Sequence, residues 1–232
     1  MQYVISDIHG CYEKYIQLLE HIKFTEKDTL YVLGDIIDRG NDGLKIMFDM
    51  MNKENIIPIL GNHEYMAYRC LKRLSVEITA DNYDTYLDED ILKEYALWAN
   101  DGGDTTAKDF RLLSSDDKDS ILNYIEEFSL YEEVEVNGNS FVLLHAGLSN
   151  FSLSRKLEEY HLHEMIFERM NFEDKYYDDK IIVTGHTPTF LIDEKYRGKI
   201  YKKNNCYAID CGVVYGEKLG CLCLDTLEEY YV

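Results

Sequence analysis

Hydrophobic positions switch between two periods along the first part of the chain. Residues 2–6 form a short β-branched and aromatic run, and residues 11–22 then set Tyr15, Leu18, Leu19 and Ile22 at helical spacing. Residues 29–33 repeat the strand pattern, residues 44–53 the helical one and residues 56–60 the strand pattern again, with a further helix beginning at Glu64. Successive strand–helix–strand units predict a sheet with parallel strands at its centre and helices on its faces. Residues 65–128 carry few strand signals and read as mostly helical, broken at Gly102-Gly103. Strands return at residues 130–136, 140–145, 181–184, 205–210 and 220–224, and Asn137-Gly138 has the signature of a tight hairpin. A chain that is strand-rich at both ends predicts an α/β fold of two packed sheets with helices outside. It would form one domain, residues 1–232, with a mostly helical insertion at 65–128.

Composition narrows the picture. The 232 residues are 46% hydrophobic and 13% aromatic, enough for one substantial core. No run approaches the roughly 18 consecutive apolar residues of a membrane span. Met1-Gln2-Tyr3-Val4-Ile5 lacks the basic start and small-residue cleavage site of a signal peptide. The expectation is a soluble cytoplasmic protein without a membrane partner. Lys and Arg total 24 against 44 Asp and Glu, a formal charge of −20, and such a surface argues against nucleic acid as a partner. Bound metal ions can still invert the field locally, so phosphate chemistry stays open. The acidic residues gather after position 80, at Asp81, Asp84, Asp88, Glu89 and Asp90, and read as a solvated surface. Six cysteines, at 11, 70, 206, 211, 221 and 223, include no C-x-x-C pair. Free buried thiols in a reducing compartment account for them.

The chemistry lies at the strand ends. Asp7 and His9 follow the first strand in Ser6-Asp7-Ile8-His9-Gly10, and Asp35, Asp38 and Arg39 follow the second in Gly34-Asp35-Ile36-Ile37-Asp38-Arg39-Gly40. Asn62, His63 and Glu64 follow the third, His145 ends a later strand in His145-Ala146-Gly147, and His186 ends another in Gly185-His186-Thr187-Pro188. Five strands thus deliver Asp, His or Asn to one edge, where open α/β sheets bind ligands. Each residue alone has an ordinary reading: an Asp or Asn after a strand is a turn former or helix cap, and a lone His is a hydrogen-bonded core or surface group. Five such coincidences in succession favour a site. Carboxylate with imidazole and no thiolate suits manganese, iron or zinc. A shared carboxylate can hold two divalent ions roughly 3.5–4 Å apart, the arrangement used for phosphoester displacement.

These blocks resemble the phosphoprotein phosphatase family within the calcineurin-like metallophosphoesterases. The family pattern is G-D-x-H-G, G-D-x-x-D-R-G, G-N-H-E, H-A-G and G-H-T, and the chain carries all five in order between residues 6 and 187, with Ser6 in place of the first glycine. The likeness is to bacterial and phage-type, lambda-phosphatase-like serine/threonine phosphatases. Trp98-Ala99-Asn100-Asp101-Gly102-Gly103 and Ile209-Asp210-Cys211-Gly212 are similar to further segments of that subgroup. The resemblance implies a central β-sandwich of two mixed sheets flanked by helices. It implies that Asp7, His9 and His186 hold a first metal, that Asp35 bridges, and that Asn62 and His145 complete a second site, with manganese the first choice of ion. It implies His63 as general acid, supported by Asp38, and Arg39 as a phosphate ligand. The second phosphate arginine of the family maps to Arg169, on a looser local match.

The activity implied is hydrolysis of phosphomonoesters on proteins, chiefly phosphoserine and phosphothreonine, with phosphotyrosine and small phosphoesters also in range. Asp38 and Glu64 support it. The alternative is a symmetrical bis(5'-nucleosyl)-tetraphosphatase or another nucleotide phosphohydrolase, whose resembling members tend to lack the aspartate before the arginine and to carry G-N-H-D. A metal-stabilised scaffold without catalysis would require loss of a ligand or of the acid, and His63 and all six ligand positions are present.

Overall fold

The computed structural model describes residues 1–76, 79, 81 and 89–232. Strands β1 (Gln2–Ile5), β2 (Thr29–Val32) and β3 (Ile56–Pro58) pair in parallel, with helices α1 (Tyr12–His21) and α2 (Gly43–Met51) between them. Helix α3 (Asn62–Leu74) follows β3, and then come α4 (Glu89–Trp98), α5 (Asp104–Leu112) and α6 (Ser115–Glu126). The second half supplies β4 (Tyr131–Val136), β5 (Asn139–Leu144), α7 (Leu162–Ile166), β6 (Lys180–Thr184), α8 (Thr189–Ile192), β7 (Tyr201–Lys203), β8 (Cys206–Ala208), β9 (Gly220–Cys223) and β10 (Glu229–Tyr231). Two five-stranded mixed sheets result, ordered β10-β9-β1-β2-β3 and β4-β5-β6-β8-β7.

The period-2 alternation along each strand explains why the sheets pack. Val4, Tyr31, Leu33 and Ile59 of the first sheet meet Phe141, Leu143, Val183 and Tyr207 of the second in a buried inter-sheet layer. Their neighbours Tyr3, Ile5, Leu30 and Val32 point the other way, onto Tyr15, Leu18, Ile46 and Met47 of α1 and α2. Each such fully buried aliphatic or aromatic side chain contributes about 1.5–3 kcal/mol. Ser114 caps α6 by accepting from the Asp117 N–H at 3.2 Å, and Asp116 and Asp117 lie in its positive first turn.

Several elements differ from the sequence reading, each for a local reason. Helix α3 begins at Asn62 and not at Glu64, because the Glu64 carboxylate turns back to accept the Gly61 N–H at 3.2 Å. Strands β7 and β10 were not expected. Each is a three-residue edge strand rich in Lys, Glu or Tyr, too short to show a period. Strand β2 stops at Val32, since Gly34 and Asp35 turn into left-handed backbone. Of the stretch expected to be helical, residues 77, 78, 80 and 82–88 lie outside the described residues, as do Asp84 and Asp88 of the acidic group. Asp81, Glu89 and Asp90 are exposed, the last two beside Lys93. All six cysteines are free, and all but the half-buried Cys11 are buried. Among the described residues no helix is long and apolar enough to cross a membrane.

Candidate metal centre

Parallel register brings the first three loops side by side. Beyond β1 and β2, the Asp7 N–H donates to the Gly34 carbonyl at 3.1 Å and the His9 N–H to the Asp35 carbonyl at 2.9 Å. In the second sheet the Gly185 N–H donates to the His145 carbonyl at 2.8 Å, which sets the His145 and His186 loops together. Asp7, His9, Asp35, Asp38, Arg39 and His186 all have φ between 44° and 68°. Left-handed backbone costs a non-glycine residue about 1–3 kcal/mol, and its concentration at these six positions marks a site the surrounding fold holds under strain. Gly34 and Gly61 permit the closest approach: a Cβ on Gly34 would lie 2.5 Å from the Gly61 backbone.

Donor atoms converge in two clusters that share Asp35. One comprises His9, Asp35 and His63, the other Asp35, His145 and His186, with the donor atoms of each within 4.8 Å of one another. Asn62 Oδ1 joins the second, 2.9 Å from both His145 Nε2 and His186 Nδ1. The donor atoms are grouped otherwise than the resemblance implies. His186 sits with Asn62 and His145, whose Nε2 is 3.2 Å from its Nδ1, and not with His9. Only its backbone N–H reaches Asp7, donating to the two carboxylate oxygens at 3.1 and 2.9 Å. That contact turns the Asp7 side chain toward the Gly185–His186 backbone, and Asp7 belongs to neither tight cluster among the described residues.

The tautomers make the donor set a test for cations. His145 Nδ1 lies 2.6 Å from the Leu33 carbonyl and His9 Nδ1 2.9 Å from the Ile37 carbonyl, so each Nδ1 carries the proton. Each Nε2 then presents a lone pair. That of His145 faces Asn62 Oδ1 and, at 3.4 Å, Asp35 Oδ1; that of His9 accepts from Arg39 Nη1 at 2.8 Å and lies 3.6 Å from Asp35 Oδ2. Acceptors facing acceptors in a buried site repel unless a positive charge lies between them. Burial lowers the pKa of His9 and His145 well below the ordinary range, and that of His186 to about 4, so burial opposes imidazolium as that charge. Burial, and then the neighbouring carboxylates, raise Asp7 and Asp35. A buried set of O and N donors without thiolate fits hard or borderline divalent ions.

Beside the clusters stands a proton-bearing pair. His63 Nδ1 lies 2.7 Å from Asp38 Oδ2, and both side chains are fully buried. Asp38 is held further by Trp98 Nε1, which donates to Oδ2 at 2.6 Å, and by Thr106 Oγ1, which donates to Oδ1 at 2.6 Å. Arg39 lies across the imidazoles, donating to His9 Nε2 at 2.8 Å and to His63 Nε2 at 3.0 Å. Its Nη2 also donates to the exposed Asp101 carboxylate at 3.0 Å. Arg169 is exposed near His186, where its charge helps to lower the imidazole pKa.

Sequence reasoning did not assign roles to four residues that matter here. Glu64 is buried and accepts the N–H groups of Asp35 at 2.8 Å and Ile36 at 2.7 Å, so it clamps the loop carrying the shared carboxylate. Trp98 and Thr106 anchor Asp38 from another part of the chain. Asp210, buried beside Asp7, accepts the Gly212 N–H at 2.9 Å, and burial pushes its pKa up to about 7. The Trp98–Gly103 and Ile209–Gly212 segments were visible as similarities, but nothing local said what they touch.

The sequence profile of the calcineurin-like phosphoesterases matches residues 3–216. A Bacillus velezensis protein named as an asymmetrical bis(5'-nucleosyl)-tetraphosphatase is 28% identical over 93% of this chain and 86% of its own length. A Wigglesworthia glossinidia brevipalpis protein named as a symmetrical bis(5'-nucleosyl)-tetraphosphatase is 40% identical over 32% of this chain. The match spans only 29% of that relative, and 43% of a like-named one from Nitrosospira multiformis. Among solved structures, a candidate diadenosine tetraphosphatase superposes with a TM-score of 0.67 at 17% identity, covering all of this chain and 92% of the other. These relatives carry tetraphosphatase names, and the expected nearness to lambda-type serine/threonine phosphatases is not what they carry.

Proposed function

Because the chain belongs to the calcineurin-like phosphoesterases, we propose that it is a divalent-metal-dependent phosphohydrolase that cleaves a phosphoanhydride bond of a dinucleoside polyphosphate. The observation that carries the substrate class is the Bacillus velezensis tetraphosphatase, which aligns along nearly the whole chain. His9 and, with its carboxylate turned from the His186 N–H, Asp7 would hold one ion, Asn62, His145 and His186 the other, and Asp35 both. Manganese is the metal we propose for assay, with iron and zinc compatible with the same donors. When bound, the ions neutralise phosphoryl charge and acidify the attacking water.

The chain's own residues do the rest. Arg39 is aimed at the space between His9 and His63, where its fork can take two phosphoryl oxygens. Arg169 supplies a second positive charge from the His186 side. Asp38 fixes the Nδ1 proton of His63 and would stabilise the imidazolium; with Arg39 Nη2 turned from His63 Nε2 to a phosphoryl oxygen, Nε2 is free to carry the proton for the departing oxygen. Glu64 does not bear on substrate choice, since its carboxylate is buried against backbone N–H groups. One observation favours a second reading, the phosphomonoester of an alcohol such as phosphoserine. An alkoxide leaves poorly without a proton, whereas a nucleotide phosphate leaves readily, so the anchored Asp38–His63 pair suits the monoester more.

Turnover of diadenosine tetraphosphate and of a phosphoserine peptide with Mn²⁺ separates the two. We expect the dinucleotide to be the better substrate by kcat/KM, with the nucleotide products revealing where the chain is cut. Peptide hydrolysis alone would transfer the assignment to the protein phosphatases, and inactivity on both would remove it.

A further inference from the structure

A small apolar slot lies where three elements of the site meet. It has a volume of about 220 Å³ and is bordered by Tyr65 and Arg69 of α3, Leu97 of α4, and His163 and Phe167 at α7. Each of these elements is tied to the metal centre. Helix α3 begins with Asn62 and His63, Leu97 precedes the Trp98 that anchors Asp38, and the Phe167 carbonyl accepts a hydrogen bond from His186. The rings are arranged for stacking. His163 stacks on Phe167 with centroids 4.7 Å apart and planes at 23°, and Tyr65 meets Phe167 edge-on at 6.3 Å. Leu97 is 69% exposed, an apolar surface facing water beside these rings. Two of the polar groups at the border are already satisfied: Arg69 donates to the Tyr65 hydroxyl at 3.0 Å and pairs with Glu94.

We propose that this slot takes the nucleobase of a nucleoside phosphate whose phosphates lie at Arg39 and the strand-end loops. The inference rests on the nucleotide reading of the site and adds to it a place for the base. The volume is below the roughly 300–1,000 Å³ of pockets that hold a whole drug-sized ligand, so it suits one ring system and not a dinucleotide. Ring faces and an aliphatic side chain recognise the flat surface that every base presents. The slot therefore selects for a base without distinguishing strongly among bases. Nothing charged and unpaired among its bordering side chains calls for a phosphate, which separates it from the Arg39 end.

The test compares AMP with ribose 5-phosphate, which carries a hydroxyl where AMP carries adenine, as ligands of the manganese-loaded chain by isothermal titration. AMP is expected to bind at least about fivefold more tightly, the low end of what base stacking supplies. In Leu97→Asp and in His163→Ala, both at exposed positions, the ratio is expected to fall toward one. Equal affinities in the parent chain would overturn the proposal, and so would a ratio that survives both substitutions. If AMP is favoured and both variants abolish the preference while diadenosine tetraphosphate is not hydrolysed, the slot stands and the dinucleotide reading falls.

Discussion

Two side chains at the phosphate end have opposite roles that single substitutions can separate. As the proposed general acid, His63 would matter in proportion to how badly the leaving group needs a proton. His63→Asn should lower kcat on an alcohol phosphomonoester about 10²–10⁴-fold and on a phosphoanhydride or aryl phosphate far less, read from parallel kinetics on the substrates. An equal loss on all of them would mean that the imidazole positions phosphate and donates nothing. With phosphate at Arg39 as proposed, Asp101 would work against binding, because its carboxylate takes the same Arg39 Nη2 that a phosphoryl oxygen would use. Asp101→Asn is expected to tighten inhibition by inorganic phosphate several-fold, about what one screened surface ion pair is worth. Weaker inhibition would show instead that Asp101 holds Arg39 in place. Asp38, Arg39 and His63 stand out in the sequence because they lie at glycine-flanked strand ends, and the roles expected of them came from the family resemblance. The competition at Asp101 was not legible there, since it depends on how the α4–α5 joint folds over Arg39.

That joint makes the same point at the scale of an element. Trp98 closes α4, and the turn Ala99–Gly103 leads into α5 with Gly102 at φ 103°. A Cβ on Gly103 would lie 2.3 Å from the Trp98 indole, so the two glycines let the turn press the ring against Asp38. Gly103→Ala should displace the indole at a stability cost of about 1–3 kcal/mol and lower monoester turnover through the loosened Asp38–His63 pair. Trp98 is the chain's single tryptophan, so its emission reports directly. A red shift in the variant is the expected result, and an unchanged spectrum with normal urea stability would dispose of the idea. The sequence marked Gly102-Gly103 as a helix break, which is a local property. Its partner Asp38 lies far away in the chain, and that pairing is tertiary. The same limit explains His186: its strand end was plain from the glycine before it, but which ligands it joins depends on how one sheet sits on the other.

At the scale of the whole molecule, packing the two sheets brings carboxylates together. Asp7 and Asp35 come from the first sheet and Asp210 follows β8 of the second, all buried, and burial and mutual repulsion raise Asp7 and Asp35 while burial raises Asp210 to about 7. A free carboxylate titrates near 3.9, so the folded state holds the Asp210 proton to higher pH than the unfolded chain does. Its contribution to stability is therefore full below about pH 4 and is lost as pH rises through about 7. In chelator-treated protein, Asp210→Asn removes that penalty while its amide oxygen can still accept the Gly212 N–H. The variant should thus be more stable than the parent at about pH 8, and the difference should shrink as the pH falls below about 7. Divalent ions reverse the logic: a cation beside Asp7 stabilises the Asp210 carboxylate, so with Mn²⁺ the parent should recover the lost stability and the variant should bind metal more weakly. Urea midpoints at about pH 8 and about pH 5, each with chelator and with Mn²⁺, contain the whole test. A variant less stable than the parent at the higher pH without metal would show that Asp210 is held by contacts that outweigh its burial, and the carboxylate cluster would no longer be a reason for the two sheet ends to take up an ion.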